Sequence, residues 1–286
     1  MKYFKKLLVI IIGLFIITGC FKKDTMEDIT IYTTIYPIEF ITYTLYGEHA
    51  TIKSIYPSEV DVINYLLTDK QLTDYSKSGL YIYNGLSKEK DYAITMLNKN
   101  RNLKIIDGAM NMEYMYGVEE LWLDPSNFLM IARNIKKGFE EYITNPYLEN
   151  EINNKYEKLK IELSELDAEL NVIAKEAINN TIIVADDVFL YLTKYGFNVI
   201  SLGSEEISEK TMADVEELIK NDVIQNIYIR SGTKANEVVS NLVQKGVKLQ
   251  PLRLGINLTT QERIDKINYI DIMKSNIELL KQELYQ

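Results

Sequence analysis

The fold is decided by residues 148–179, which read LENEINNKYEKLKIELSELDAELNVIAKEAIN. The stretch contains no glycine and no proline, and its central leucines recur at spacings of four, three and four residues, at Leu159, Leu163, Leu166 and Leu170. Such spacing places apolar side chains on one face of an α-helix, and about 30 helical residues span about 45 Å. The stretch therefore predicts a long helix, either a bundle or coiled-coil helix or a rigid rod that joins two lobes.

The sequence on both sides of this helix alternates between strand-like and helix-like segments. Runs of β-branched and aromatic residues predict strands at residues 29–35, 52–56, 80–83, 103–106, 181–185, 198–202, 224–229 and 247–252. A closing helix is predicted from about residue 260 to 284. Strands that alternate with helices favour parallel sheets covered on both faces. We therefore predict an α/β fold with an N-terminal lobe (29–147), a connecting helix (148–179) and a C-terminal lobe (180–286).

The N-terminus has the features of an export signal. Lys2, Lys5 and Lys6 precede an apolar run over residues 7–17, which is short for a membrane-spanning helix. The run ends in Ile-Thr-Gly-Cys, and Cys20 stands where the bacterial lipobox has its lipidated cysteine. We predict a signal peptide over residues 1–19, a lipid on Cys20, a tether over 20–28 and an extracytoplasmic location. The alternative is an uncleaved N-terminal anchor with a fortuitous cysteine.

Composition excludes several classes of function. Cys20 is the only cysteine, so no thiol remains for a disulfide, a thiolate metal site or a nucleophile. The net charge of −9 argues against nucleic acid as a partner, and loss of residues 1–19 makes the charge more negative. The only histidine, His49, follows Gly47 and Glu48 in a turn and is interpreted as a surface residue. No glycine-rich phosphate loop occurs, which argues against a nucleotide-dependent enzyme.

Five motifs along the chain resemble those of the zinc and manganese solute-binding lipoproteins of ABC importers. They are Thr33-Thr34-Ile35-Tyr36-Pro37, Ile82-Tyr83-Asn84-Gly85-Leu86, Leu121-Trp122-Leu123-Asp124-Pro125, Phe189-Leu190-Tyr191-Leu192 with Tyr195-Gly196-Phe197, and the segment from Tyr269 to Asn276. They follow the family's order and cover nearly the whole chain after residue 28. The resemblance implies two α/β lobes joined by a rigid helix, a divalent cation (Zn²⁺ or Mn²⁺) as cargo, and a monomer. As partners it implies a permease and its ATPase.

The resemblance also implies the position of the metal site, between the lobes. Family members commonly hold the ion with three histidines and a carboxylate, or with two of each. Ile63 stands at the first histidine position, Glu120 at the second and Asp186 at the third. The last carboxylate position falls on Ile267 or Asn268, and Asp265 and Asp271 are close alternatives in the sequence.

Glu120 and Asp186 are therefore the predicted metal ligands, with Asp61 as a weaker third and Glu59 or Asp187 as further oxygen donors. An all-oxygen site suits Mn²⁺ or another hard cation better than Zn²⁺. The alternative is that these acids are ordinary carboxylates at the rim of the cleft.

Other ligands and activities remain open. Tyr36, Tyr65, Tyr114, Tyr116 and Tyr191 could line a site for a small organic ligand or a metal chelate, although tyrosine is abundant throughout the chain. The methionines Met110, Met112 and Met115 could capture a soft metal. The pair Asp186-Asp187 could serve paired-carboxylate catalysis, but adjacent residues at a strand end point in different directions. A receptor that has lost transport is the last alternative.

Overall fold

The computed structural model describes residues 24–204 and 207–285. The predicted signal peptide, Cys20 and the first part of the predicted tether lie outside these residues. Within the described part of the chain, no helix combines the length and the apolar character needed to cross a bilayer.

Strands and helices alternate along the chain as the sequence predicts. The strands are β1 Thr30–Thr33, β2 Thr51–Ser54, β3 Leu80–Tyr83, β4 Lys104–Asp107, β5 Thr181–Val184, β6 Asn198–Ser201, β7 Asn226–Arg230 and β8 Lys248–Leu252. The helices are α1 Tyr36–Tyr46, α2 Asp69–Tyr75, α3 Glu89–Lys99, α4 Glu120–Leu123, α5 Pro125–Tyr142, α6 Pro146–Glu176, α7 Glu209–Lys220, α8 Glu237–Gln244, α9 Thr260–Ile264 and α10 Tyr269–Leu284. A 3₁₀ helix covers Asp187–Tyr195.

Within the described residues the strands form two four-stranded sheets, one in each lobe. The strand order is β2-β1-β3-β4 in the first sheet and β6-β5-β7-β8 in the second. Every neighbouring pair in both sheets is parallel. Of the four strands with a neighbour on each side, β3 and β5 are buried at every position, as expected for sheets covered by helices on both faces. The predicted α/β class with two parallel sheets is confirmed.

Helix α6 is the predicted long helix and contains 31 residues. It begins at Asn145, whose side chain accepts a hydrogen bond from the backbone N–H of Tyr147. Its buried face is a stripe of apolar side chains, formed by Leu148, Ile152, Leu159, Leu163, Leu166, Leu170 and Ile173. The helix contacts α1 and α5 of the first lobe and α10 and the 3₁₀ helix of the second. It is therefore packed into the core of both lobes and is not an isolated rod.

The prediction of a single continuous closing helix is wrong, because the structure has two helices there, α9 and α10. Lys266, between them, has a left-handed backbone with φ of 56°, which a continuous right-handed helix does not allow. Asn268 then starts α10 with a reciprocal capping box to Asp271. The break bends the chain where the sequence shows neither glycine nor proline.

The packed part of the first lobe extends N-terminally beyond the predicted boundary at Ile29. The Asp24 carboxylate accepts hydrogen bonds from the backbone N–H groups of Thr144 and Asn145, at 2.7 and 3.0 Å. Met26 beside it is fully buried. Residues 24–28, predicted as tether, are thus attached to the turn that leads into α6.

Asp24 is expected to contribute to stability in a pH-dependent way. Burial acts to raise the pKa of its carboxyl group, but hydrogen bonds from Thr144, Met26 and Asn145 lower this pKa overall. Asp24→Ala should reduce the free energy of unfolding by about 1–3 kcal/mol near neutral pH, because it leaves the buried N–H of Met26 and the partly buried N–H groups of Thr144 and Asn145 without their acceptor. Since the folded-state pKa is depressed, the difference should be full above the unfolded pKa of about 3.9 and should vanish as pH falls through the folded value.

Urea unfolding of both proteins between about pH 1.5 and 7 measures this difference. The control is Asp214→Ala, at an exposed position in α7. A difference between wild type and Asp24→Ala that is small or independent of pH would contradict the assignment.

Candidate functional site: the cleft between the lobes

The carboxyl ends of strands from both sheets meet in a cleft between the lobes. The backbone N–H of Tyr36, just after β1, donates to the carbonyl of Ile256 in the second lobe at 2.9 Å. The indole N–H of Trp122 donates to the carbonyl of Leu254 at 2.8 Å, and the Tyr269 hydroxyl donates to the carbonyl of Trp122. These contacts align the lobes, and the carboxyl ends of parallel strands are where α/β proteins bind ligands.

An ion pair that crosses the cleft involves one of the predicted ligands. Asp186 follows β5, and Arg230 is the last residue of the neighbouring strand β7. The guanidinium Nε and Nη2 of Arg230 donate to Oδ2 and Oδ1 of Asp186 at 2.9 and 3.2 Å. Its Nη1 lies 3.6 Å from Oε1 of Glu119, at the start of α4 in the other lobe. Two carboxylates from opposite lobes therefore hold one cationic group.

Glu120, the second predicted ligand, has a different set of partners. Its Oε2 accepts hydrogen bonds from the backbone N–H groups of Met115 and Tyr116, at 3.0 and 3.1 Å. The carboxylate thus stabilises the loop before α4, which places Tyr116 within 3.4 Å of the Thr193 hydroxyl in the second lobe.

Asp61, the third predicted ligand, caps its own turn. Its side chain accepts from the backbone N–H of Ile63 and the amide of Asn64, at 3.1 and 2.6 Å. The hydrogen bond from Asn64 lowers the pKa of the Asp61 carboxyl group.

The further oxygen donors considered from the sequence are also engaged locally. Glu59 accepts from the backbone N–H of Thr260 at 3.1 Å, which links the lobes, and Asp187 accepts from the Ser201 hydroxyl. Asp265 accepts from Gln261, and Asp271 belongs to the capping box of α10.

The three predicted ligands do not form a cluster. Among residues 24–204 and 207–285, the only group of three metal-ligating side chains with ligand atoms within 4.8 Å of one another is Glu48, His49 and Glu151. Glu48 and His49 follow α1 of the first lobe and Glu151 lies on α6, and His49 Nε2 is 3.1 Å from Glu151. The ammonium group of Lys155 lies 2.6 Å from Glu151 and 3.4 Å from Glu48. Both carboxylates of this group therefore already have a cationic partner. Sequence reasoning treated His49 as a solitary residue because Glu151 is distant in the chain.

Sequence reasoning also missed a second polar contact across the lobes, centred on Asp124. This buried carboxylate accepts from the backbone N–H of Ser126 and from the Tyr195 hydroxyl, at 2.9 and 3.0 Å. The ammonium group of Lys194 donates to it at 2.8 Å. Asp124 thus begins α5 and at the same time fixes the 3₁₀ helix of the other lobe.

A cavity of about 260 Å³ lies beside the Glu119 side of the cleft. Its lining is mainly apolar and includes Ile35, Val62, Ile63, Val118, Trp122 and Ile256. Ile63, at the expected first histidine position, therefore faces an apolar space. At the polar end, burial raises the pKa of the Glu89 carboxyl group, while a 2.7 Å hydrogen bond from the Tyr56 hydroxyl lowers it in part.

Comparison with known proteins identifies the family. Residues 31–283 match the family model described as ZnuA, the periplasmic component A of a zinc-uptake complex. The chain belongs to this family. It is a family of solute-binding components of metal uptake, as the motifs of the sequence indicate.

Individual relatives of the ZnuA family agree with this placement. The high-affinity zinc uptake system protein ZnuA of Bacillus subtilis (strain 168) is 25% identical, over 95% of this chain and 97% of that protein. The zinc-binding lipoprotein AdcA of Streptococcus pneumoniae (strain R6) is 22% identical, over 99% of this chain and 61% of that protein. This chain thus spans about three fifths of AdcA.

Solved structures of ZnuA-like proteins have the same fold. The Zn(II)-bound ZnuA-like domain of S. pneumoniae AdcA has a TM-score of 0.73 at 21% identity, covering 91% of this chain and 100% of that domain. The metal-dependent lipoprotein YcdH from B. subtilis has a TM-score of 0.74 at 20% identity, with the same coverage. The two-lobed α/β architecture expected from the resemblance is therefore confirmed.

Proposed function

We propose that this chain is the extracytoplasmic receptor of a metal-type ABC importer, which captures a divalent cation in the cleft and delivers it to a permease served by an ATPase. The observation that carries the proposal is the convergence of Asp186 and Glu119, from opposite lobes, on one positive charge. An arrangement that holds a guanidinium has the charge needed to hold a metal ion. Glu120, one residue from Glu119, and Asp61 remain proposed as further ligands.

The donor set favours a hard cation. Carboxylate oxygens suit Mn²⁺, Ca²⁺ and Mg²⁺, whereas zinc sites in proteins usually include imidazole or thiolate. The relatives are named for zinc, but this chain has no histidine besides His49 and no cysteine besides Cys20. We therefore propose Mn²⁺ as the cation whose ligand preference the cleft fits best, while Zn²⁺ should prefer the group around His49.

A second candidate function rests on the apolar cavity. Its volume of about 260 Å³ and its isoleucine and tryptophan lining fit a small organic molecule or the organic part of a metal chelate. In that case the receptor would retain the family fold with a changed ligand. A receptor without transport activity is the remaining alternative.

Metal titration of the purified full-length protein in detergent tests the main proposal. With Mn²⁺ at a hundredfold excess over Kd, binding to the folded state should raise the free energy of unfolding by about 2.7 kcal/mol, with one ion per chain. Asp186→Asn should abolish this stabilisation, because it removes the carboxylate charge in the cleft.

The matched control is His49→Ala, which alters the other candidate group and should leave the Mn²⁺ response unchanged. If Mn²⁺, Zn²⁺, Ca²⁺ and Mg²⁺ all fail to stabilise the wild-type protein, the receptor does not bind a free cation, and the cavity becomes the leading site. Loss of the response in His49→Ala would move the metal site to the outer surface of the first lobe.

The proposed location depends on the lipid at Cys20. Cys20→Ala should prevent lipid attachment and signal cleavage at this position, leaving an unlabelled precursor of higher mass. Metabolic labelling with a radioactive or alkyne-tagged fatty acid, followed by fractionation of the cells, measures both effects. Lipid labelling that is unchanged in the variant would contradict the assignment.

A further inference from the structure

The position of Arg230 in the cleft follows from its place at the end of β7 and from its charge. It ends β7, beside β5, and the backbone N–H of Ala185 donates to the carbonyl of Tyr228 at 2.8 Å, which fixes the two strand ends side by side. Its side chain is 19% exposed, compared with 29% for Asp186 and 13% for Glu119. The guanidinium is thus largely shielded from water, and both of its acidic neighbours are largely covered.

Arg230 presents its positive charge to acids from both lobes. Two parallel N–H groups engage both oxygens of Asp186, which is the bidentate geometry that the rigid guanidinium favours. The same group approaches the carboxylate of the opposite lobe, at 3.6 Å. One permanent positive charge therefore partly neutralises two negative charges that face each other across the cleft.

We propose that Arg230 is a tethered cation that occupies the cation position between Asp186 and Glu119 and thereby sets the affinity of the cleft for a divalent ion. This inference rests on the proposed function, since it assigns a regulating residue to the same site. Arg230 bridges the two lobes through its contacts to Asp186 and Glu119. A free ion reaches Asp186 only when the guanidinium leaves.

The competition has a direct electrostatic origin. A divalent ion beside Asp186 would lie a few ångströms from the guanidinium, where two positive charges in a shielded site repel strongly. Binding must therefore break the bidentate pair and return the guanidinium to water. Removal of this competitor should leave a more negative and more receptive cleft.

The orientation of Asp186 does not depend on Arg230 alone. Its Oδ1 also accepts a hydrogen bond from the backbone N–H of Val188, at 3.0 Å, which caps the 3₁₀ helix. A variant at Arg230 therefore keeps the Asp186 carboxylate directed by its own turn. This makes a change in cation affinity interpretable as loss of the competing charge.

The test compares Mn²⁺ binding by wild type, Arg230→Met and Arg230→Lys, with isothermal titration calorimetry on the full-length protein in detergent. Arg230→Met keeps much of the aliphatic side chain and removes the charge, so Kd should fall at least tenfold. The Kd of Arg230→Lys should lie between those of wild type and Arg230→Met, because an ammonium group keeps the positive charge but cannot make the bidentate contact of a guanidinium. The double variant Asp186→Asn with Arg230→Met should lose the higher Mn²⁺ affinity expected of Arg230→Met alone.

The matched control is Arg253→Met, which removes an arginine paired with Glu262 at 2.6 Å, outside the Asp186 contact, and should leave Mn²⁺ affinity unchanged.

Equal affinity of wild type and Arg230→Met would overturn the inference while leaving the proposed function intact. Binding by Arg230→Met but not by wild type would support the inference and refute the proposed function for the natural chain. Absence of binding in both would refute both. If Arg230→Met fails to fold, Arg230→Gln replaces it with the same expected outcomes.

Discussion

The interaction on which the structure depends is the packing of one apolar face of α6 against both lobes. Its buried leucines and isoleucines contact helices of the first lobe, α10 and the 3₁₀ helix of the second. Because one continuous helix belongs to both cores, movement of one lobe relative to the other must bend or repack that helix. We therefore expect the lobes to move little when a ligand binds, so that the side chains at the walls of the cleft set its affinity.

Those walls are strand ends and short helices, and their charges decide what the cleft can hold. Asp186 and Glu119 approach from opposite lobes, and Arg230 connects them. Lys194 and Asp124 form a second link, with Tyr195 as a further donor to the same carboxylate. Removing Arg230 or the buried Asp124 costs more than its contacts contribute, because it leaves a shielded charge or donor unpaired. The lobes are thus joined by polar contacts that require each partner.

Much of the fold could be predicted from the sequence because it depends on periodicity. The leucine spacing in residues 148–179 identified α6, and the alternation of strand and helix patterns identified both sheets. The break between α9 and α10 could not be found in this way. It depends on a left-handed lysine, Lys266, and on the capping side chain of Asn268, and neither changes the apolar pattern around it.

The candidate site was less accessible from the sequence. Glu119 and Glu120 are adjacent at the start of a helix, where successive side chains point about 100° apart. Glu119 faces Arg230, whereas Glu120 accepts hydrogen bonds from backbone N–H groups of the preceding loop. Only the three-dimensional structure distinguishes the two residues. Arg230 directly follows the predicted strand at 224–229, but an arginine is not a metal ligand, so the sequence pattern does not mark it as part of the site.

The most direct test of the central claim is a crystal structure of the protein grown with Mn²⁺, with anomalous scattering used to locate the ion. We expect an anomalous peak between Asp186 and the Glu119–Glu120 pair, with the guanidinium of Arg230 moved away from Asp186. A bidentate Arg230–Asp186 pair that persists at saturating Mn²⁺, with the ion elsewhere or not bound, would contradict it.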